Sequence, residues 1–334
     1  MNWDQCIGHR RQRAWFAAAL NNHRLTGSFL FVGPPGIGKS TFATLLAKTL
    51  LCDTRRAAAL DPCGRCPACA QVDADTHPDI LRVAKPGERA FIPVELFVGK
   101  QEERMKVGFC RDIQLRPFAG TRRIGIIQDA DYLNEEGANS LLKTLEEPPL
   151  GALIILIGTT AQRQLPTIRS RCRTIRFLPP TGEDAARLLA AHGAENIPAT
   201  DAQRLIERCE GNVYQAMDLL QPEGQGFCEH LEKLLSAEVI NAVTLSTLVN
   251  DYVTAAGKDA PSRRNRMRQV FSITLEFFRN RVRQQPSASE GVQPELNRIN
   301  RCLTAMNQVD RNANQATLIE SWSADLQRGS EVLL

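Results

Sequence analysis

The sequence has no long hydrophobic run. Its longest wholly apolar stretches are Ala14–Leu20 and Ala152–Ile157, far short of the roughly 20 residues that a membrane-spanning helix needs, so no membrane role is expected. The first residues, Met1-Asn-Trp-Asp-Gln, lack the basic-then-apolar pattern of an export signal, and a cytoplasmic location follows as the expectation. Neither sign of charge dominates: a net charge of +4 over 334 residues does not by itself imply a nucleic-acid binder. No internal repeat is visible, and beyond about residue 227 there is no convincing strand pattern. Cysteine is plentiful, at ten residues, but without an export signal these thiols point to metal or to plain burial rather than to disulfides. The length suits two or three domains with real cores.

The strongest positive signal is Gly33-Pro-Pro-Gly-Ile-Gly-Lys-Ser40, a complete phosphate-binding loop in the right setting. The apolar, β-favouring run Ser28–Val32 leads into it, and Phe42, Leu45, Leu46, Leu50 and Leu51 follow at helical spacing. Gly33, Gly36 and Gly38 let backbone N–H groups turn toward phosphate oxygens at a helix N-terminus. Lys39 is expected to reach the β- and γ-phosphates, and the Ser40 hydroxyl to ligand Mg²⁺.

A second signal is Cys52, Cys63, Cys66 and Cys69, spaced C-x10-C-x2-C-x2-C. Four thiolates complete a closed tetrahedral zinc site, which leaves no position for water and is therefore structural. A redox dithiol is the competing reading of either C-x2-C pair taken alone. The remaining cysteines (Cys6, Cys110, Cys172, Cys209, Cys228 and Cys302) are scattered and read as small buried hydrophobes.

Strand candidates Phe29–Val32, Ile80–Val83, Ile124–Gln128, Leu153–Ile157 and Thr174–Phe177 alternate with helices such as Asn134–Leu145. That alternation predicts an α/β fold on a mainly parallel sheet with flanking helices. Pro179-Pro180 closes this unit. Thr181 and Thr200 read as N-caps and Gly211 as a helix end, giving a small helical domain. Pro222–Gly226 reads as a linker, and helical pattern fills the rest apart from a polar loop over 284–292.

The ordered set of phosphate loop, four-cysteine insert, His77-Pro78-Asp79, Asn139-Ser-Leu-Leu-Lys-Thr-Leu-Glu-Glu-Pro-Pro149 and Ser170-Arg171-Cys172 resembles the bacterial DNA polymerase III clamp loader. Its members are AAA+ subunits that open a ring-shaped sliding clamp and place it on primed DNA. The resemblance covers residues 1 to about 220. It implies an AAA+ nucleotide-binding domain over 1–178 with the zinc module at 52–69, a helical lid over 179–222, and an all-α collar over 227–334.

Motor subunits of that family end the catalytic strand in Asp-Glu. Counted back from Leu141-Leu142-Lys143, those positions hold Gln128 and Asp129 here. A neutral amide supplies no negative charge to a metal shell, and the shorter Asp129 draws a general base back from the water it must reach. The lid's nucleotide-sensing Arg corresponds to Tyr214 in Gly211-Asn-Val-Tyr214, which offers no cationic fork. The departures resemble delta-prime, the stationary subunit of the loader's hetero-pentamer. On that resemblance the chain binds ATP or ADP with Mg²⁺ weak or absent and has no complete hydrolytic site of its own. Arg171 would serve as an arginine finger for a neighbouring motor subunit. Motor subunits, the delta subunit, the sliding clamp and primed DNA are the implied partners. The alternative is a gamma/tau-type motor that uses Asp129 as an unorthodox base and part of the same holoenzyme.

Two further sites are weaker signals, and two further segments stand apart from the motifs. Thr159-Thr160 stands where the family places a polar sensor near the γ-phosphate. Ile7-Gly8-His9 resembles the segment beside the adenine, with His9 read as structural or solvated. Residues 84–120 form a charged excursion for which the resemblance gives no role, read as a solvated surface feature before a subunit contact. Arg263, Arg264, Arg266, Arg268, Arg279, Arg281 and Arg283 flank an amphipathic helix face. Collar packing with a solvated rim is favoured for them over DNA contact, since no aromatic interleaves the basic face.

Overall fold

A computed structural model describes residues 1–22, 25–54, 60–87, 89–104, 106–119, 122–257, 260–284, 292–311 and 313–328. The chain forms two compact units, Met1–Leu188 and Leu189–Leu334.

The first unit is built on five strands: β1 (Gly27–Val32), β2 (Ile80–Val83), β3 (Ile124–Ile127), β4 (Leu153–Gly158) and β5 (Arg173–Arg176). They lie in the order β2-β3-β4-β1-β5, and every pairing is parallel. The expected parallel α/β sheet is therefore present, with strand ends within a residue or two of those read from sequence. Parallel strands are covered on both faces, and β1 shows how alternation serves both. Phe29 and Phe31 enter an aromatic cluster with Phe16, Phe42 and Phe177. Leu30 and Val32 join the opposite core with Ile154, Leu156, Leu141 and Leu145. β5 is an edge strand whose exposed Arg173 and Arg176 blunt its free side. The helix Glu135–Glu146 is capped by Asn134, whose side chain accepts from Gly137 N, one residue from the expected boundary.

The 84–120 segment is not the solvated excursion read from sequence. Ile92, Phe97, Val98, Phe109, Cys110 and Ile113 are buried in the core that contains Leu141 and Leu145. Their spacing follows two four-residue helices, Glu95–Val98 and Phe109–Asp112, too short to generate a periodic signal. At the turn between them Gly108 (φ 101) allows contact with the Phe97 carbonyl, which a Cβ would meet at 2.9 Å.

The second unit is helical throughout its described residues, as expected. Phe227 stacks on Tyr252 with centroids 3.8 Å apart, and Phe271 meets a fully buried Trp322. Two readings are corrected there. Pro222–Gly226 is not a linker but the first turn of the helix Pro222–Leu235. Proline is tolerated at the first helical position, and Gly224 lies so close to Leu219 Cα and the Asp218 carbonyl that no Cβ would fit. Thr200 lies inside the helix Ala199–Arg208, whose N-cap is Pro198. Gly211 does close that helix, its N–H bonding Ile206 O at 2.8 Å. Of the polar loop at 284–292, residues 285–291 fall outside the described residues.

On the long helix Ala260–Gln284, Met267, Val270, Phe271, Leu275 and Phe278 are buried, as the apolar face predicts. Several of its arginines are engaged within the unit: Arg266 with Glu223 and over the Tyr252 ring, Arg281 with Glu295, Arg283 with Glu276.

Candidate functional site

The phosphate loop joins β1 to the helix Lys39–Leu51. Gly36 (φ 79) and Gly38 (φ 97) take the left-handed turns that L side chains resist. Gly33 passes so near the Phe177 carbonyl that a Cβ would collide with it. Lys39 is 7% exposed, and its ammonium donates to Gly33 O and Pro34 O, both at 2.6 Å. Burial draws its pKa down to about 8, with the Asp131 carboxylate acting in the opposite sense.

The ends of β3 and β4 bring the other candidates to this loop. Gln128 Nε2 donates to Ser40 Oγ at 3.1 Å, so an amide donor meets the hydroxyl on which a metal site would rely. Asp129 sits in the left-handed region (φ 54), and its carboxylate accepts the Lys85 N–H at 3.3 Å. Thr159 O accepts the Gly33 N–H at 2.8 Å. Thr159 also donates from its N–H and its hydroxyl, the latter at 2.6 Å, to Asp131, which takes a further hydrogen bond from Gln164. Thr160 is apart from this network, accepting the Arg163 N–H at 3.3 Å.

His9 is a brace, not a base reader: its Nε2 meets Ile37 O at 2.6 Å and its ring packs edge-on against Phe177. Burial lowers its pKa, keeping the ring neutral. Beside it opens a cavity of about 170 Å³ lined by residues including Trp3, Ile7, Arg13, Phe42 and Arg187. The buried Trp3 indole N–H has no protein partner among the described residues, a donor that an acceptor of a bound base would satisfy.

Arg171 precedes β5. Its Nε donates to Glu146 at 3.1 Å and its Nη1 to Thr167 O at 3.2 Å and Ser170 Oγ at 3.4 Å. Tyr214, in the second unit, is 57% exposed and packs edge-on against His192.

The Sγ atoms of Cys52, Cys63, Cys66 and Cys69 lie within 4.8 Å of one another, and a tetrahedral zinc site with bonds near 2.3 Å sets sulfurs roughly 3.8 Å apart. Backbone N–H groups of Cys63, Cys66 and Cys69 each point at the preceding ligand's sulfur at 3.4 Å, the outer-shell support that thiolate ligands require. Hydrogen bonds from Thr54 and from backbone N–H groups draw the Cys63 thiol down to about 5, while burial pushes Cys66 and Cys69 up. Four thiolates cannot coexist here without a cation, so the donor set fits a divalent ion.

Sequence reading missed Asp131, Gln164 and Glu146. Asp131 lies just past the Gln128-Asp129 pair, outside the segments singled out, and Glu146 within the quoted Leu-Glu-Glu-Pro-Pro run, so a search for acids beside the named candidates finds both. Gln164 carries no local signal.

The family described as DNA polymerase III, delta subunit, matches residues 8–181. The DNA polymerase III subunit delta' of Pseudomonas aeruginosa is 34% identical over 219 residues, 64% of this chain and 62% of that protein. The subunit delta' of Bacillus subtilis is 32% identical over 201 residues, 60% of this chain and 56% of that protein. The matches thus span less than two thirds of these relatives. The subunit tau of Salmonella typhimurium is 31% identical over 170 residues, half of this chain and 24% of that protein. Among the described residues no helix is long and apolar enough to cross a membrane.

Proposed function

This chain belongs to the DNA polymerase III delta-subunit family whose model its residues 8–181 match, and from that premise we propose that it acts as a stationary, delta-prime-type subunit of a clamp loader. In this reading residues 1–178 bind ATP or ADP, 179–222 form a lid and 227–334 a collar. Gly33, Gly36, Gly38, Lys39 and Ser40 hold the phosphates. The four cysteines hold a structural zinc ion. Arg171 is lent to a neighbouring motor subunit while the sliding clamp is set on primed DNA.

The observation that carries this reading is the strand end beside the loop. Hydrolysis needs a carboxylate for the metal shell and another for the attacking water. Gln128 spends its amide on Ser40, and Asp129 is turned to the Lys85 N–H. The complete phosphate loop favours the alternative, a gamma/tau-type motor, because a subunit that never turns over has less use for it.

The two readings separate on the isolated chain. Incubated with MgATP, it is expected to bind nucleotide and release no phosphate above the uncatalysed rate; steady turnover abolished by Asp129→Asn would support the motor. Because Gln128 offers no carboxylate to the metal's waters, nucleotide affinity is expected to change less than about threefold between MgCl₂ and EDTA. A loss of tenfold or more in EDTA, read by fluorescence titration, contradicts that account of Gln128.

Lys39 adds a pH dependence. In the free chain its pKa is lowered to about 8, and a bound polyphosphate favours the charged form and raises it. Binding above pH 8 therefore takes up a proton, and affinity is expected to fall as pH rises from 8 to 9.5, by up to about tenfold per unit. Lys39→Arg, which stays charged, should flatten the profile; a wild-type constant that is level across this range would show that Lys39 does not titrate there.

A further inference from the structure

The nucleotide reading leaves one group unused: the carboxylate of Asp131. It lies where β4 ends beside the phosphate loop, yet it is neither of the acids that the catalytic strand of a motor would supply. It accepts from Thr159 N–H, from Thr159 Oγ1 at 2.6 Å and from Gln164 Nε2. Thr159 is in turn fastened to the loop through its carbonyl, which receives the Gly33 N–H at 2.8 Å. Lys39 bonds the carbonyl of the same glycine and feels the Asp131 charge. A hydroxyl, a backbone N–H and a side-chain amide beside the loop are donors of the kind that a terminal phosphate takes. In this chain they already face a fixed negative charge.

We propose that Asp131 stands in for a terminal phosphate, so that the site selects a nucleoside diphosphate over a triphosphate. The inference rests on the reading of Gly33–Ser40 as a nucleotide site and narrows it. The loop N–H groups and Lys39 remain able to hold two phosphates. A third phosphate would meet the Asp131 carboxylate with its donors already taken, and like charges at close range in a partly buried site repel strongly. Specificity then arises by repulsion of the competitor rather than by extra contacts to the chosen ligand. A stationary subunit built this way holds a diphosphate through every cycle of its neighbours and does not respond to the triphosphate. The simpler account is that Asp131 braces the turn after β4. That account requires its hydrogen bonds but not its charge, and the two part company on an isosteric neutral variant.

The experiment is competition between ADP and ATP for the full-length chain against a fluorescent ADP analogue, in EDTA so that metal binding does not intrude. Wild type is expected to bind ADP at least tenfold tighter than ATP. Asp131→Asn keeps the size and an acceptor oxygen while removing the charge; it is expected to tighten ATP fivefold or more, moving ADP by less than twofold. Equal affinities in wild type, or a variant that shifts both nucleotides alike, overturn the inference and leave the nucleotide site standing. Binding of neither nucleotide by the wild type at millimolar concentration overturns both. The wild-type ratio keeps the test decisive even if the variant folds poorly.

Discussion

Removing the metal from the four-cysteine module is expected to unfold the helix Pro67–Asp73 with the cysteine cluster and to weaken the phosphate loop with them. Held by four thiolates, a structural zinc ion contributes apparent binding energy of about 10–16 kcal/mol in zinc-finger peptides. This module has little else to hold it. Its buried cluster is Cys52, Cys66, Ala68 and Cys69, with Cys63 packed against it, and its helix is only Pro67–Asp73, far below the length that is stable alone. The consequence travels through Asp73, which closes that helix. Both its oxygens accept from Lys48, at 2.8 and 2.7 Å, and Lys48 is 1% exposed on the helix that begins at the phosphate loop. Loss of the module leaves a buried ammonium without its carboxylate, a change that costs several kcal/mol. A strong chelator should release one zinc per chain, lower Tm by about ten degrees or more and reduce nucleotide affinity. Cys69→Ser, at a fully buried ligand, should do the same without chelator. Metal loss at unchanged Tm and unchanged affinity would assign the ion no structural role.

Truncation of Arg171 is expected to leave this chain folded and to silence its neighbour. The side chain makes one partly exposed ion pair with Glu146 and two bonds to Thr167 and Ser170. Pairs of that kind are worth about 0–1 kcal/mol, so Arg171→Ala should shift Tm by at most a few degrees. An arginine finger, by contrast, is worth about 10³–10⁵ in rate to the site it completes. Among the described residues no partner is recorded for Nη2. In the proposed role Glu146 and the Thr167 carbonyl hold Nε and Nη1 and leave Nη2 for a phosphoryl group. Arg171→Lys should therefore rescue little, because an ammonium lacks the rigid planar group that anchors two nitrogens while presenting a third. Retention of more than a tenth of the wild-type rate by Arg171→Ala would remove the residue from the catalytic account.

The parts of the molecule legible in the sequence are those where one physical demand dictates one residue type. Strands buried on both faces read as apolar runs, which is why β1, β3 and β4 stood out. Left-handed turns at Gly36 and Gly38 and close passage at Gly33 admit only glycine, and four-fold sulfur ligation admits little but the spacing of Cys52, Cys63, Cys66 and Cys69. The helix read as Asn134–Leu145 was placed to within a residue, Asn134 proving to be its cap. Where several solutions satisfy the same demand, the sequence was silent or misleading. Pro222 is as acceptable at a helix start as in a linker, and only the packing of Gly224 on Leu219 decides. The buried Ile92, Phe97, Phe109 and Ile113 are scattered among charges because four-residue helices impose no period. Part of the site was legible in the amide at Gln128, which stands beside Ser40. Its network was not: Asp131 meets Thr159 and Gln164 only because β3 and β4 are neighbours in the sheet, and Glu146 meets Arg171 across 25 positions of sequence.

The measurement that bears most directly on the account is DNA- and clamp-stimulated ATPase of the loader reconstituted with its own motor subunits. Three forms of this chain, wild type, Arg171→Ala and Lys39→Ala, are compared after assembly has been checked for each. The account predicts a fall of about a thousandfold at the neighbouring site for Arg171→Ala and a rate within about twofold of wild type for Lys39→Ala. A comparable fall for Lys39→Ala in an intact assembly would mean that this chain turns over ATP, and the reading of Gln128 and Asp129 as an inactive pair would be wrong.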